Sequence, residues 1–168
     1  MTTETITDIA NIALTASFIV ALIFGIAQVK SATRDRRERL TLEVLRQFQT
    51  REFVELLNYI STGELPLTQA AMQKLPEKER LLLIQFGQQM ESLGLMVAEG
   101  YIDINLVDKT LGSFVVTAWE KSKAMFEDIR KNQPDPFLGE YYQWLAEAID
   151  KRMNEKPREP YYMSQKRV

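Results

Sequence analysis

Residues 9–29 read IANIALTASFIVALIFGIAQV, from Ile9 to Val29, and carry no formal charge. As a helix rising 1.5 Å per residue, this run is about 32 Å long, which matches the roughly 30 Å hydrocarbon core of a bilayer. Its polar members are few. Asn11 and Gln28 lie near the ends, within reach of the interface, and Thr15 and Ser17 can bond back to the helix backbone. The stretch predicts a single transmembrane helix.

The flanks orient it. Residues 1–29 carry two acids, Glu4 and Asp8, and no base. Residues 30–51 carry seven bases (Lys30, Arg34, Arg36, Arg37, Arg39, Arg46 and Arg51) against three acids (Asp35, Glu38 and Glu43). The positive-inside rule places the short N-terminal tail, residues 1–8, outside and the bulk of the chain in the cytoplasm. A cleaved signal peptide is disfavoured, because it needs a basic n-region and a shorter apolar stretch. Here the region before the apolar run is acidic and the bases follow it.

Two features of this region are candidate interaction sites. Ala13, Ser17, Ala21 and Gly25 recur every fourth residue along one helix face. Small residues at that spacing let two helix backbones approach closely in lipid, so this face fits a second copy or another membrane protein. Just beyond the apolar run, Lys30, Arg34, Arg36, Arg37 and Arg39 form a basic cluster at the membrane surface. Each base close to the surface is worth about 1 kcal/mol of attraction to anionic lipid head groups.

The remaining chain reads as helix after helix. The pattern continues into RDRRERLTLEVLRQFQ, where Leu40, Leu42, Val44, Leu45 and Phe48 supply an apolar face. Thr50 suits an N-cap, and a helix from Arg51 to about Ile60 carries Phe53, Val54, Leu56, Leu57 and Ile60. Ser61, Thr62, Gly63 and Pro66 break the chain, and Leu67–Leu75 is a short helix or turn. Pro76 suits a first helical position, with Glu77 and Glu79 placed where the helix dipole favours acids. That helix carries Leu82, Phe86, Met90, Leu93 and Val97 and stops at Gly100, a C′ glycine.

Asp103 caps the next helix, about Ile104–Lys131, with Val107, Leu111, Phe114, Val115, Ala118, Trp119, Met125, Phe126 and Ile129 on its apolar face. Asn132, Gln133 and Pro134 end it. Asp135 and Pro136 signal a last helix from Phe137 to about Met153, carrying Tyr141, Trp144, Leu145 and Ile149. Residues 154–168 have two prolines, many charges and little apolar mass, and are expected to be a flexible tail. No segment alternates as a strand would. The fold class is therefore all-α: a single N-terminal transmembrane helix (9–29), then a compact bundle of about four or five helices (30–153).

Composition narrows the chemistry. The 168 residues include 21 Lys+Arg and 23 Asp+Glu, giving a net charge of −2 and no whole-chain signature of nucleic-acid binding. There is no cysteine and no histidine. Disulfides, thiolate nucleophiles, Ser-His-Asp triads, histidine-based zinc sites and imidazole switches are excluded. Neither a phosphate-binding G-x-x-x-x-G-K-[ST] nor a G-x-G-x-x-G motif occurs, and no cofactor is expected.

Carboxylates are the remaining catalytic route, because helical proteins can bind Mg²⁺ through acids alone. Glu52 and Glu55 lie at i, i+3, as do Glu147 and Asp150. Two such pairs facing each other would make a metal site, while Arg51, Lys151 and Arg152 offer ordinary surface pairing instead. Trp119, Phe126 and Trp144 fall in apolar stripes and are expected in the core. Glu120 and Arg130, near Trp119, are candidates for a structural ion pair or a polar site. Tyr161 and Tyr162, beside Pro160 and followed by Lys166 and Arg167, suit a short docking motif or a membrane-surface contact in the tail.

The uncharged run is followed in order by RRERLTLEVLRQFQTREFVE (Arg36–Glu55), ESLGL (Glu91–Leu95), GYID (Gly100–Asp103), VVTAWE (Val115–Glu120) and Arg130. This order resembles a bacterial family of unknown function whose members have one N-terminal membrane helix and a small cytoplasmic helical domain. The resemblance implies the architecture and assigns no activity. The expected role is a non-enzymatic, single-pass interaction module, an accessory or scaffold subunit of a membrane complex. The alternative is a membrane-bound sensor whose helical domain binds a small ligand or lipid in a pocket with convergent polar groups.

Overall fold

A computed structural model describes residues 3–133 and 135–164. Among these it has seven helices and no strand, as the all-α reading expects. They are α1 (Thr3–Gln47), α2 (Arg51–Thr62), α3 (Gln69–Gln73), α4 (Glu77–Ala98), α5 (Ile104–Asn132), α6 (Glu140–Glu155) and α7 (Tyr161–Ser164). The chain divides into two units, Met1–Leu42 and Glu43–Val168.

The first unit consists of most of α1. This helix runs unbroken for 45 residues, because no proline interrupts it and its one glycine, Gly25, is tolerated. The two hydroxyls in its apolar run are satisfied within the helix. The Thr15 hydroxyl donates to the Asn11 carbonyl at 2.8 Å, and Ser17 donates to the Ala13 carbonyl at 2.8 Å. The segment expected to be a tail before the span is helical from Thr3 onward.

The second unit is the helical bundle, in which α6 packs against both α4 and α5. Its core is a chain of edge-to-face aromatic pairs. Phe48 meets Phe53 at 4.8 Å between ring centroids, Phe53 meets Phe114 at 5.8 Å, and Phe114 meets Phe86 at 6.1 Å. Phe86, Trp119 and Phe126 then surround the fully buried Tyr142 at 5.6, 5.0 and 5.9 Å. Such pairs each add about 0.5–1.5 kcal/mol beyond the area they bury.

Several local signals act as expected. The Thr50 hydroxyl accepts the Phe53 N–H at 3.2 Å and caps α2. Asp103 accepts the Asn105 N–H at 2.8 Å and caps α5. Gly100 has φ of +72°, and the Tyr101 N–H reaches back to the Met96 carbonyl at 2.9 Å, closing α4 as a C′ glycine does.

Other expectations need correction. Pro76 is the N-cap of α4 rather than its first helical residue. The last helix starts at Glu140, not Phe137. Asp135 does accept a backbone N–H, that of Phe137 at 3.1 Å, but this bond closes a turn. The helix has to wait for Gly139, whose φ is +71° and whose α-carbon faces the Phe126 ring; a Cβ there would lie 2.7 Å from a ring carbon. Individual core positions also shift by one residue. Leu83 rather than Leu82 is buried on α4, Tyr142 rather than Tyr141 on α6, and Leu42 and Val54 face solvent. At the C-terminal end α6 continues to Glu155, and α7 is a single turn. Pro134 and residues 165–168, the latter including Lys166 and Arg167, lie outside the described residues.

Candidate functional site

The first candidate is the surface of α1. It contains, among the described residues, the one helix long and apolar enough to cross a membrane: its stretch Ala10–Gln47 has a mean hydropathy of 2.3 in the most apolar window, none of it buried. Phe18, Leu14, Phe24 and Ile12 are all at least two-thirds exposed. Leaving such groups in water costs about 1.5–3 kcal/mol for each large side chain, so the surface demands an apolar environment. Ala13, Ser17, Ala21 and Gly25 are exposed, and a Cβ added at Gly25 would meet nothing within 4 Å. Lys30, Arg34, Arg36, Arg37 and Arg39 are exposed as well. Arg34 Nε donates to Glu38 Oε1 at 2.9 Å, and this carboxylate holds the guanidinium in its charged form.

The proposed carboxylate site does not assemble. Glu55 takes the Arg51 guanidinium at 3.0 Å, Glu147 takes the Gln143 amide at 2.8 Å, and Asp150 takes the Asn154 amide at 3.1 Å. Glu52 is exposed in the first turn of α2. Among the described residues, no group of three or more acids is placed to hold a metal ion.

Four half-buried charges of the bundle, Glu91, Lys121, Asp128 and Arg130, serve the backbone instead. Glu91 on α4 accepts the N–H groups of Tyr141 and Tyr142 at 3.3 and 3.0 Å, and so caps α6 in place of the missing N-cap side chain. Asp128 on α5 accepts the Gln69 N–H at 2.8 Å, at the start of α3. Lys121 donates to the carbonyls of Ile60 and Ser61, at the end of α2 where the helix dipole favours a cation. Arg130 does not pair with Glu120, which is exposed. It donates to the Leu138 carbonyl and to Gln143 Oε1, both at 2.7 Å, and thereby ties the α5–α6 turn to both helices.

Of the three aromatics expected in the core, Trp119 and Phe126 are buried. Trp144 is 42 % exposed, because the buried face of α6 runs through Tyr142, Leu145, Ala146 and Ile149. Tyr161 and Tyr162 are exposed on α7.

A cavity of about 550 Å³ opens between α3, α4, α5 and the α5–α6 turn. Its walls are mostly apolar, with Met72, Leu83, Ile84, Met125, Phe126 and Leu138 among them, and Gln88, Glu91 and Ser92 supply polar groups. Sequence reasoning missed this cavity, because it forms only where segments distant in the sequence converge.

A family model described as a domain of unknown function, DUF4760, matches residues 13–149. The chain belongs to this family. No curated protein and no solved structure matches it. The DUF4760 match begins at Ala13, inside the apolar run, and ends at Ile149, the last buried residue of α6. It therefore takes in the basic cluster, the aromatic core, the Glu91 cap and the cavity, and stops short of the C-terminal segment.

Proposed function

We propose that this chain is a single-pass, membrane-anchored helical interaction module, an accessory or scaffold subunit of a membrane complex. The observation that carries this reading is the apolar run of α1, exposed at every residue from Ala10 to Val29 and continuous in sequence with a basic segment. In this reading the N-terminus is translocated across a bacterial inner membrane and the bundle lies in the cytoplasm. The row Ala13, Ser17, Ala21 and Gly25 packs against a second copy or another membrane protein. Glu91, Asp128 and Lys121 of the bundle act at helix ends, and the module needs no cofactor, no nucleic acid and no catalytic residue.

The test is an affinity pull-down from gently solubilised native membranes, read by mass spectrometry for identity and stoichiometry. A stoichiometric second membrane protein is the expected result. Recovery of this chain alone favours self-association, and a chain that alkaline carbonate washes from membranes overturns the anchor.

The cavity favours a second reading, a membrane-bound sensor. Apolar walls with a few polar groups at one side fit a small amphiphile. Filling the space with Gly87→Leu or Ser92→Phe would then abolish ligand-dependent stabilisation of the purified chain without unfolding it.

A further inference from the structure

We propose that Lys30, Arg34 and Arg37 form a docking strip for the phosphates of anionic phospholipids, on the bilayer face from which α1 emerges. This inference rests on the membrane-spanning reading above and narrows it to one face of one helix.

Three observations support it. The first is position. The uncharged run ends at Val29, and Lys30 is the next residue on the same unbroken helix. Lys30, Arg34 and Arg37 are spaced i, i+4, i+7, which at 100° per residue puts them within about 60° of one another. Arg36 and Arg39 lie about 150° away on average, on the opposite side. The five bases are therefore two strips, and only the first begins at the edge of the apolar run.

The second is reach. The strip covers about 10 Å along the axis, somewhat more than the 5–7 Å of headgroup region outside each side of the hydrocarbon core. Side chains on a helix lean toward its N-terminus, and here the N-terminal end is the bilayer end. Arg34 and Arg37 thus lean back toward the phosphates, and long cationic side chains close the remaining distance.

The third is free capacity. All ten residues from Lys30 to Arg39 are exposed. Among the described residues, the ion pair in this segment is Arg34 Nε with Glu38 Oε1 at 2.9 Å. That contact occupies Arg34 Nε and leaves its two terminal nitrogens, whose fork geometry suits phosphate. Charge complementarity therefore selects an anionic surface, and the position at the end of the apolar run selects a lipid as its source.

The experiment uses the full chain reconstituted in nanodiscs of mixed phosphatidylcholine and phosphatidylglycerol. Native mass spectrometry counts the lipids retained by the released protein. The wild-type chain is expected to retain phosphatidylglycerol above its bulk proportion. The triple variant Lys30→Gln/Arg34→Gln/Arg37→Gln is expected to lose up to about fivefold of that enrichment per residue neutralised at low salt. The double variant Arg36→Gln/Arg39→Gln loses less per residue. Glu38→Gln, which releases Arg34 Nε, raises the enrichment.

Equal loss per residue in the triple and double variants overturns the strip, because net charge then explains the effect. Absence of enrichment in a chain that resists alkaline carbonate extraction overturns the strip while the anchor stands. Extraction of the wild-type chain by carbonate overturns both.

Discussion

The carboxylate of Glu91, in the middle of α4, accepts the backbone N–H groups of Tyr141 and Tyr142 at 3.3 and 3.0 Å, in the first turn of α6. Gly139 stands at the N-cap of α6 and offers no side-chain acceptor. The helix is thus capped from fifty residues away, and the cap doubles as a tertiary contact. Glu91→Ala is expected to lower stability by about 2 kcal/mol, and Glu91→Gln by about half of that, since the amide keeps one acceptor oxygen and loses the charge. Urea unfolding of the full chain in detergent, followed by tryptophan emission, measures both. An Ala variant as stable as wild type would show that the cap is not needed.

One turn further along α4, Gly94 sits directly against α6. A Cβ there would fall 2.2 Å from the Tyr141 carbonyl oxygen, a backbone atom that cannot swing aside. Gly94→Ala is expected to force α4 and α6 apart and to cost about 3 kcal/mol, the upper range for overpacking. Gly25→Ala, where nothing lies within 4 Å, is the matched control and should leave bundle stability unchanged. The same urea experiment reads both variants.

Tyr142 gives the bundle a defined alkaline limit. Burial among Phe86, Trp119 and Phe126 pushes its hydroxyl well above the ordinary value, and burial together with Glu79 raises Tyr59. A raised pKa in the folded state means that the stabilisation is complete below the unfolded value of about 10. Above that pH the unfolded chain releases the proton and the folded chain resists, so stability falls as pH rises. Ultraviolet titration should show Tyr142 ionising together with unfolding rather than before it. Tyr142→Phe should flatten the alkaline loss while costing less than about 1 kcal/mol at neutral pH, because its hydrogen bond to the Val115 carbonyl is long, at 3.4 Å.

Local signals in this chain were readable because both partners lie within one turn. Thr50, Gly100 and Asp103 act on backbone groups two to four residues away, and each does what its position suggests. Along residues 10–39 of α1 every side chain is exposed, so which residues share a face there follows from helical periodicity alone. Glu91, Asp128, Lys121 and Arg130 could not be assigned in advance. Each bonds a backbone group at the end of another helix or, for Arg130, in the turn before α6, and sequence spacing carries no trace of that pairing. The same blindness explains Trp144. Its spacing from Tyr141 and Leu145 fits an apolar stripe, yet the rotation of α6 is set by Gly94 and Glu91 on α4, and that rotation turns Tyr142 inward and Trp144 outward.

Arg130 is expected to matter for the geometry of the α5–α6 turn more than its charge suggests. Its Nε holds the Leu138 carbonyl and its Nη1 holds Gln143, each at 2.7 Å. Lysine has no fork with which to make both bonds. Arg130→Lys should therefore cost about 1–2 kcal/mol and loosen the segment around Gly139. Hydrogen exchange at the Glu140, Tyr141 and Tyr142 amides checks it: faster exchange confined to this turn is the expected result, and unchanged protection would assign the turn's order to Gly139 and Glu91 alone.

The small-residue row on α1 makes a separate prediction in lipid. Ser17 Oγ is bonded to the Ala13 carbonyl at 2.8 Å, so the row presents methyl groups and backbone rather than free hydroxyls. Close backbone approach, not side-chain hydrogen bonding, would then drive any association through this face. Ala21→Leu combined with Gly25→Leu adds bulk at two successive positions of the row while raising the hydrophobicity of the span. Membrane insertion should be intact or improved, and association should weaken by about 1–2 kcal/mol. Ser17→Ala should have almost no effect, because the lost bond is internal to the helix. Energy transfer between labelled copies in vesicles, or recovery of a partner in the pull-down, reads the change. Undiminished association in the double variant would move the interface off this face, and a large effect of Ser17→Ala would mean that its hydroxyl leaves the Ala13 carbonyl to bond across helices.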